Sequence, residues 1–285
     1  MNNAWPVRFD LLLRYRLIEV VAYWEGRLTT NHLVNSFGIG RQQASKDINT
    51  YLNEIAPNNL VYNKHLKGYE PSKQFTPKLT TGTADEYLHV LSRTKDLAHT
   101  FARLDLGFAN THMLQLPSRP VNPVILRAIV QGAREQRRVD IGYLSVNNPE
   151  TDGRIIVPHT LVCTPMRWHV RAYCEKNGEY RDFVLSRFRG VPELMDKSER
   201  GSAQDAAWQT DIELSLSPDP RLNKLQQKVI AHDYGMSRNK LAVPCKAALL
   251  PYVLQAFQLD PHKQEAKPEA QQIIISNYKT IERWL

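Results

Sequence analysis

The sequence predicts an α+β, multidomain protein. Three observations carry this. Short helical periods at the N-terminus close on a two-strand pattern, a central helix precedes strands of alternating polarity, and strand and helix patterns mix in the last third. The expected segments are 1–75, a helical linker at 76–118, then 119–200 and 201–285. A chain of 285 residues holds more than one core.

Phe9, Leu12, Leu13, Leu17, Val20, Val21 and Trp24 recur at three- and four-residue steps, which predicts one amphipathic helix ended by Gly26. Thr29 or Thr30 can cap a second helix, 31–37, with Leu33 and Phe37 inward. Gly38 supplies a tight turn and Gly40 the next N-cap, so a third helix runs from Arg41 to Asn53. Ala44, Ile48, Tyr51 and Leu52 share its apolar side. Arg41, Gln42, Ser45, Lys46 and Asn49 share the other, with Gln43 beside them. Gln and Asn bond adenine bidentately and Arg bonds guanine, while Ser and Lys suit phosphates. This is the helix-turn-helix pattern with its reading helix second. Strand patterns at 60–63 and 68–71 flank a basic tip, a wing whose Lys64, His65 and Lys67 would meet backbone or minor groove. The expected partner is double-stranded DNA with a palindromic operator. A net charge of +8 and a pI of 9.3 suit such a polyanion. The alternative at this point is a packing module whose polar face is merely solvated.

Residues 85–103 read as a helix with Tyr87, Leu88, Leu91, Leu97 and Phe101 inward. Pro117, Pro120 and Pro123 mark a boundary, and Asn122 caps a helix running to Arg138. Val139, Ile141 and Tyr143 alternate as a strand. A second follows at 154–158 with 161–163, a third at 167–174, then the Asn177–Gly178 turn and a fourth at 180–185. A helix followed by short antiparallel strands suggests a small barrel. Alternation in the third strand puts Trp168, Val170, Ala172 and Cys174 on a core face. It puts Arg167, His169, Arg171 and Tyr173 on the other, a row suited to a phosphate-bearing ligand.

Tyr143, Ser145, Arg154, Pro158-His159, the run Arg167 to Cys174, Tyr180 to Phe183, Leu185 and Arg187 together resemble the WYL domain. Where that family carries its Trp-Tyr-Leu tripeptide, this chain has Trp168-His169-Val170. The resemblance implies an Sm-like or SH3-like barrel between an N-terminal winged helix and a C-terminal extension. The form here is similar to dimeric, mostly repressing regulators found beside bacterial phage-defence systems, including BREX and CBASS loci. It implies an anionic nucleotide or oligonucleotide effector held by Tyr143, Ser145, Arg154, His159, Arg167, His169, Tyr173, Arg181, Phe183 and Arg187. Tyr143 and Phe183 are open between core and base stacking, and Arg171, Arg181 and Arg187 between ligand and ion pairs with Asp140, Asp182 or Glu175. His159 and His169 are open to a structural role.

The last third opens on a small polar linker, 201–205. A strand follows at 211–216, then a helix from Asp219-Pro220 to Tyr234 with Leu222, Leu225, Val229 and Ile230 inward. Further strand patterns lie at 241–243 and 273–275, and a helical stretch at 246–258 carries Pro251 as a kink or break. This segment is the expected site of homodimerisation, matching two half-sites.

Cys163, Cys174 and Cys245 are too few and too scattered for a disulfide framework or a metal site, and read as structural. No metal or cofactor is expected. No paired acids, activated nucleophile or phosphate-cradling glycine loop stands out, so an enzyme is not expected. A mean hydropathy of −0.45 and the lack of a long apolar run argue against a membrane span, and cytoplasmic residence is the default expectation. The second reading is an RNA- or single-stranded-DNA-binding module with the central barrel as its main site.

Overall fold

The computed structural model describes residues 8–98, 114, 117, 119–146, 149 and 152–285. The chain divides into two compact units, Met1–Gln115 and Leu116–Leu285.

The first unit runs α1 (Phe9–Glu25), α2 (Thr30–Phe37), α3 (Arg41–Thr50), one π-helical turn (Tyr51–Ile55), β1 (Leu60–Asn63), β2 (Gly68–Pro71) and α4 (Ala84–Ala98). Gly26 and Gly38 end α1 and α2 at φ +70° and +64°, a region glycine enters without a Cβ penalty. Tyr15, Ile18, Val21, Leu28, Leu33, Ala44, Ile48 and Tyr51 form the core. Of the apolar set predicted for α1, Val20 and Val21 are buried and Leu17 packs against the core, but the start of the helix departs from it. Phe9 is 74% exposed, whereas Tyr15 and Glu19 point inward. Glu19 tolerates burial because its carboxylate is saturated. It accepts from the Tyr51 hydroxyl (2.9 Å), the backbone N–H groups of Lys78 (2.9 Å), Leu79 (3.0 Å) and Thr80 (3.0 Å), and the Thr80 hydroxyl (2.8 Å). The loop before α4 is thereby pinned to α1. In α4, Leu91 is buried but Leu88 is exposed. The side chains of Leu97 and Phe101 lie outside the described residues.

The second unit opens with α5 (Pro123–Glu135), capped by the Asn122 side chain accepting from the Val124 N–H at 2.9 Å. Then come β3 (Arg137–Tyr143), β4 (Asp152–Cys163), β5 (Trp168–Cys174), β6 (Glu179–Val184), a 3-10 turn (Leu185–Arg187) and β7 (Phe188–Lys197). They form one antiparallel sheet in the order β6-β5-β4-β3-β7. The expected barrel is not closed: among the described residues no ladder joins β6 to β7. The sheet is covered instead by α5, whose Ile125 and Ile129 pack with Val139, Ile141, Ile156, Val170 and Phe188. β7 escapes the sequence reading because, as an edge strand with Gly190 and Pro192, it lacks a clean alternation.

The unit ends with α6 (Ala206–Gln209), β8 (Asp211–Pro218), α7 (Lys224–Asp233), β9 (Leu241–Lys246), α8 (Leu250–Ala256), α9 (Pro268–Gln271), β10 (Ile273–Ile275) and α10 (Tyr278–Ile281). A second antiparallel sheet has the order β10-β8-β9. Leu214, Leu216, Leu250, Leu254, Ile273 and Ile281 fill its core. Two expectations change. Leu225 and Val229 of α7 are 73% and 65% exposed rather than inward, while Leu222 is buried and Ile230 packs against the core as expected. Pro251 sits in the first turn of α8, where its missing N–H costs no helical bond, so it starts the helix rather than kinking it. Among the described residues no helix is long and apolar enough to cross a membrane.

Candidate nucleic-acid interface and anion site

On α3, Ala44 and Ile48 are buried, while Arg41, Gln42, Gln43, Ser45, Lys46 and Asn49 are all exposed. The helix is held by a buried acid the sequence reading passed over. Asp47 accepts from Arg14 Nη1 of α1 at 2.7 Å and from Gln43 Nε2 at 2.7 Å. Gln43 is thus tethered within its own helix, leaving Arg41, Gln42, Ser45, Lys46 and Asn49 as the untethered polar row. A buried ion pair of this kind fixes orientation, and breaking it strands a charge.

Lys64, His65 and Lys67 are exposed at the tip between β1 and β2. Asn63 shapes the tip by accepting from the N–H groups of His65 (2.9 Å) and Leu66 (3.1 Å). The base of the wing is tied to the α1–α2 link by backbone bonds between Leu28 and Tyr69 at 2.7 and 2.8 Å. A Cβ at Gly68 would come within 2.8 Å of the Leu28 carbonyl oxygen, so the close approach requires glycine.

In the central sheet the ten expected effector residues do not form one cluster. Tyr143 and Phe183 are core, 6% and 3% exposed, with rings edge-on at 5.0 Å. They face α5 rather than a ligand. Arg154 donates to Asn177 Oδ1 at 3.0 Å and lies over the Tyr143 ring, and Ser145 is half-buried near the end of β3. Tyr173 stacks under the Arg200 guanidinium, 5.0 Å from its centroid. Arg181 pairs with Glu179. Trp168, expected in the core, is 51% exposed, because β5 outruns the core at its N-terminal end.

His159 and Arg171 belong to a buried joint between the two sheets of this unit. Arg171 donates to Asp205 at 2.6 and 3.2 Å and to Asp182 at 3.4 Å. His159 Nε2 lies 3.2 Å from Asp205, and the Tyr252 hydroxyl of α8 donates to Asp182 at 3.1 Å. Burial pushes Asp205 up, but the hydrogen bonds and charge of Arg171 outweigh it and hold the carboxyl below its ordinary value. For Asp182 burial wins, and its carboxyl is raised. The sequence placed Arg171 on a ligand row. Its partner Asp205 lies in the polar linker, where nothing in the local pattern marks a buried acid.

Arg167, His169 and Arg187 do come together, joined by Arg119, which the sequence reading missed between two prolines. His169 is 3% exposed and packs against the Tyr252 ring at 4.9 Å. Its pKa falls to about 4, first through burial and then through the charges of Arg167, Arg187 and Arg119. Its Nδ1 is buried without a hydrogen-bond partner. Among the described residues none of the three arginine side chains makes an ion pair or hydrogen bond. A set of arginine charges acting on an imidazole without a hydrogen-bond partner makes this a candidate anion site. Beside it lies an open groove of about 880 Å³, with Arg119, Val121, Ile125, Leu185 and Phe188 in its lining. Among the described residues no group of three His, Cys, Asp or Glu could hold a metal ion.

Three family models match in order: the BrxR transcriptional regulator winged helix-turn-helix domain at 10–93, the WYL domain at 124–192, and the BrxR transcriptional regulator C-terminal dimerization domain at 211–281. Relatives named DNA-binding transcriptional repressor CapW occur in several bacteria. That of Escherichia coli (strain KTE188) is 34% identical over 274 residues, covering 93% of this chain and 90% of the relative. That of Pseudomonas aeruginosa is 30% identical over 276 residues, covering 93% and 90%. That of Stenotrophomonas maltophilia is 27% identical over 288 residues, covering 100% and 95%. With all three domains in the same order and a third of its residues shared along nearly its whole length, the chain belongs to the BrxR and CapW family of WYL-domain transcriptional regulators.

Proposed function

We propose that the chain is a homodimeric, sequence-specific DNA-binding repressor that autoregulates a phage-defence operon. The observation that carries the reading is the polar row Arg41, Gln42, Ser45, Lys46 and Asn49, exposed on a helix whose opposite side is locked into a core. Base-edge and phosphate chemistry are both present on that row. The exposed Lys64, His65 and Lys67 supply a second contact, and the relatives' names support repression. Dimerisation through residues 211–281 is supported by the matching C-terminal domain model. The phage-defence setting rests on the resemblance of the central run to regulators of such loci.

The effector reading is narrower than the residue set taken from the sequence. It rests on Arg119, Arg167, Arg187 and His169, where an anionic nucleotide or oligonucleotide finds unpaired guanidiniums. The sheet order, with a 3-10 turn between β6 and β7, supports an SH3-like ancestry for this domain. Effector binding releases DNA in this reading.

The test is anisotropy of labelled duplex from upstream of the gene against scrambled duplex, across a salt series. The wild type is compared with an Arg41→Ala, Gln42→Ala, Lys46→Ala triple variant. Specific binding lost in the variant is expected. Equal, steeply salt-dependent binding of both duplexes would overturn sequence-specific reading.

A further inference from the structure

We infer that the outward face of α7, centred on Leu225 and Val229, is where two copies of this chain join, their α7 helices packing antiparallel across a two-fold axis. The inference rests on the reading of the chain as a homodimer.

A helix at the surface of a domain needs one apolar stripe, with polar residues elsewhere. α7 has two apolar sides. On the inner side Ala231 and the preceding Leu222 are buried, and Ile230 and Tyr234 pack against the core of the second sheet. On the outer side Leu225 and Val229 stand one turn apart, 73% and 65% exposed. Among the described residues of 211–281 they are the only large apolar side chains that are exposed. Lys224, Lys228 and His232 surround them with polar groups.

The occupant of this face is a second copy. Residues 211–281 match a C-terminal dimerization domain, and a surface that pairs with itself needs an apolar centre that can shed water. The sheet edges are poor alternatives. The order β10-β8-β9 leaves β10 and β9 at the edges. β10 has three residues, and β9 carries Pro244, which has no N–H to give to a ladder.

The face is also built in advance. Asn223 caps α7 by accepting from the N–H groups of Leu225 and Gln226, both at 2.9 Å, and Gln226 accepts from the Asn223 N–H at 2.9 Å. Ahead of the cap, the fully buried Asp219 holds the Arg221 guanidinium at 2.6 and 3.0 Å. A helix fixed at its start presents the same two side chains with little ordering cost on association.

With the two-fold axis at the level of Gln227, Leu225 of each copy meets Val229 of the other. Lys228 of both copies falls on the same flank, exposed to water and screened by salt, so apolar contact rather than charge holds the pair.

The experiment is fluorescence-detected sedimentation of the full-length protein over a dilution series. Wild type is compared with Leu225→Lys, with Val229→Glu, and with an equal mixture of the two variants. Each variant alone, with an unchanged circular dichroism spectrum, is expected to raise the dimer Kd about a hundredfold. The mixture is expected to return to within about tenfold of wild type, because the introduced lysine and glutamate then face each other while the second Leu225–Val229 contact stays intact. Variants that dimerise as tightly as wild type overturn the inference and leave the homodimer reading standing. Variants that stay monomeric when mixed overturn the antiparallel pairing. A monomeric wild type removes the homodimer reading, and the inference with it.

Discussion

His169 shows how far one residue's behaviour departs from its place in a pattern. Its pKa is depressed from 6.5 to about 4, so between those values the unfolded chain binds a proton that the folded chain does not. Stability conferred by the neutral ring is therefore present above pH 6.5 and lost as pH falls toward 4. His159, also lowered by burial, acts in the same direction. Urea unfolding of wild type is expected to lose on the order of 2 kcal/mol across this window through His169. His169→Asn flattens that part of the curve, and an unchanged slope would contradict the assignment. Glu19 gives a second prediction at this scale. Glu19→Ala leaves the buried Tyr51 hydroxyl without its acceptor and frees three N–H groups of the half-buried 78–80 loop, which is expected to cost on the order of 2–3 kcal/mol in denaturant unfolding. Neither residue's environment was legible in the sequence. Alternation tells which face a side chain takes, not what covers the face. For Arg171 the pattern leaves ligand and ion pair open, and offers Asp182 as a partner but not Asp205, the acid 34 residues further on that holds it more closely.

At the scale of elements the sequence is more readable where a period and its punctuation agree. Gly26 and Gly38 stand where a left-handed turn favours glycine, Asn122 where a helix needs a cap, and the wing strands where a strand pattern flanks a turn. Two departures share a cause: a long-range partner overrides the local period. Glu19 is held inward by Thr80, 61 residues away, and β7 is a strand because β3 offers it a ladder. The wing permits a prediction of its own. Gly68→Ala forces a Cβ to within 2.8 Å of the Leu28 carbonyl and must open the Leu28–Tyr69 bridge. The wing should then swing free of its base. Operator affinity is expected to fall about tenfold with little change in thermal midpoint, measured by anisotropy and calorimetry on the same preparation. For α3, Lys46→Ala is expected to lower the slope of log affinity against log salt by about 1, as loss of one phosphate contact does. An unchanged slope would place Lys46 away from the backbone.

For the whole molecule the question is whether effector and operator compete for one surface or communicate between two. The polar row of α3 lies in the unit ending at Gln115, and the cationic site in the unit starting at Leu116. Two sites on two units can be coupled only through a difference in effector affinity between the DNA-binding and released states. The net charge of +8 makes direct competition a real rival, since a short anionic oligonucleotide can occupy any basic surface. The two cases separate at saturation. Under competition, the apparent operator Kd climbs in proportion to effector concentration without limit. Under coupling it climbs and then levels off, at a ratio set by the coupling free energy, typically 5- to 150-fold. A plateau is expected for wild type titrated with 5′-phosphorylated trinucleotide, and reciprocity demands that saturating operator weaken trinucleotide binding by the same factor. Arg167→Ala removes a guanidinium from the cationic site and is expected to abolish the plateau response. A Kd that rises linearly through that range, in wild type and variant alike, would mean the oligonucleotide acts at the DNA-reading face.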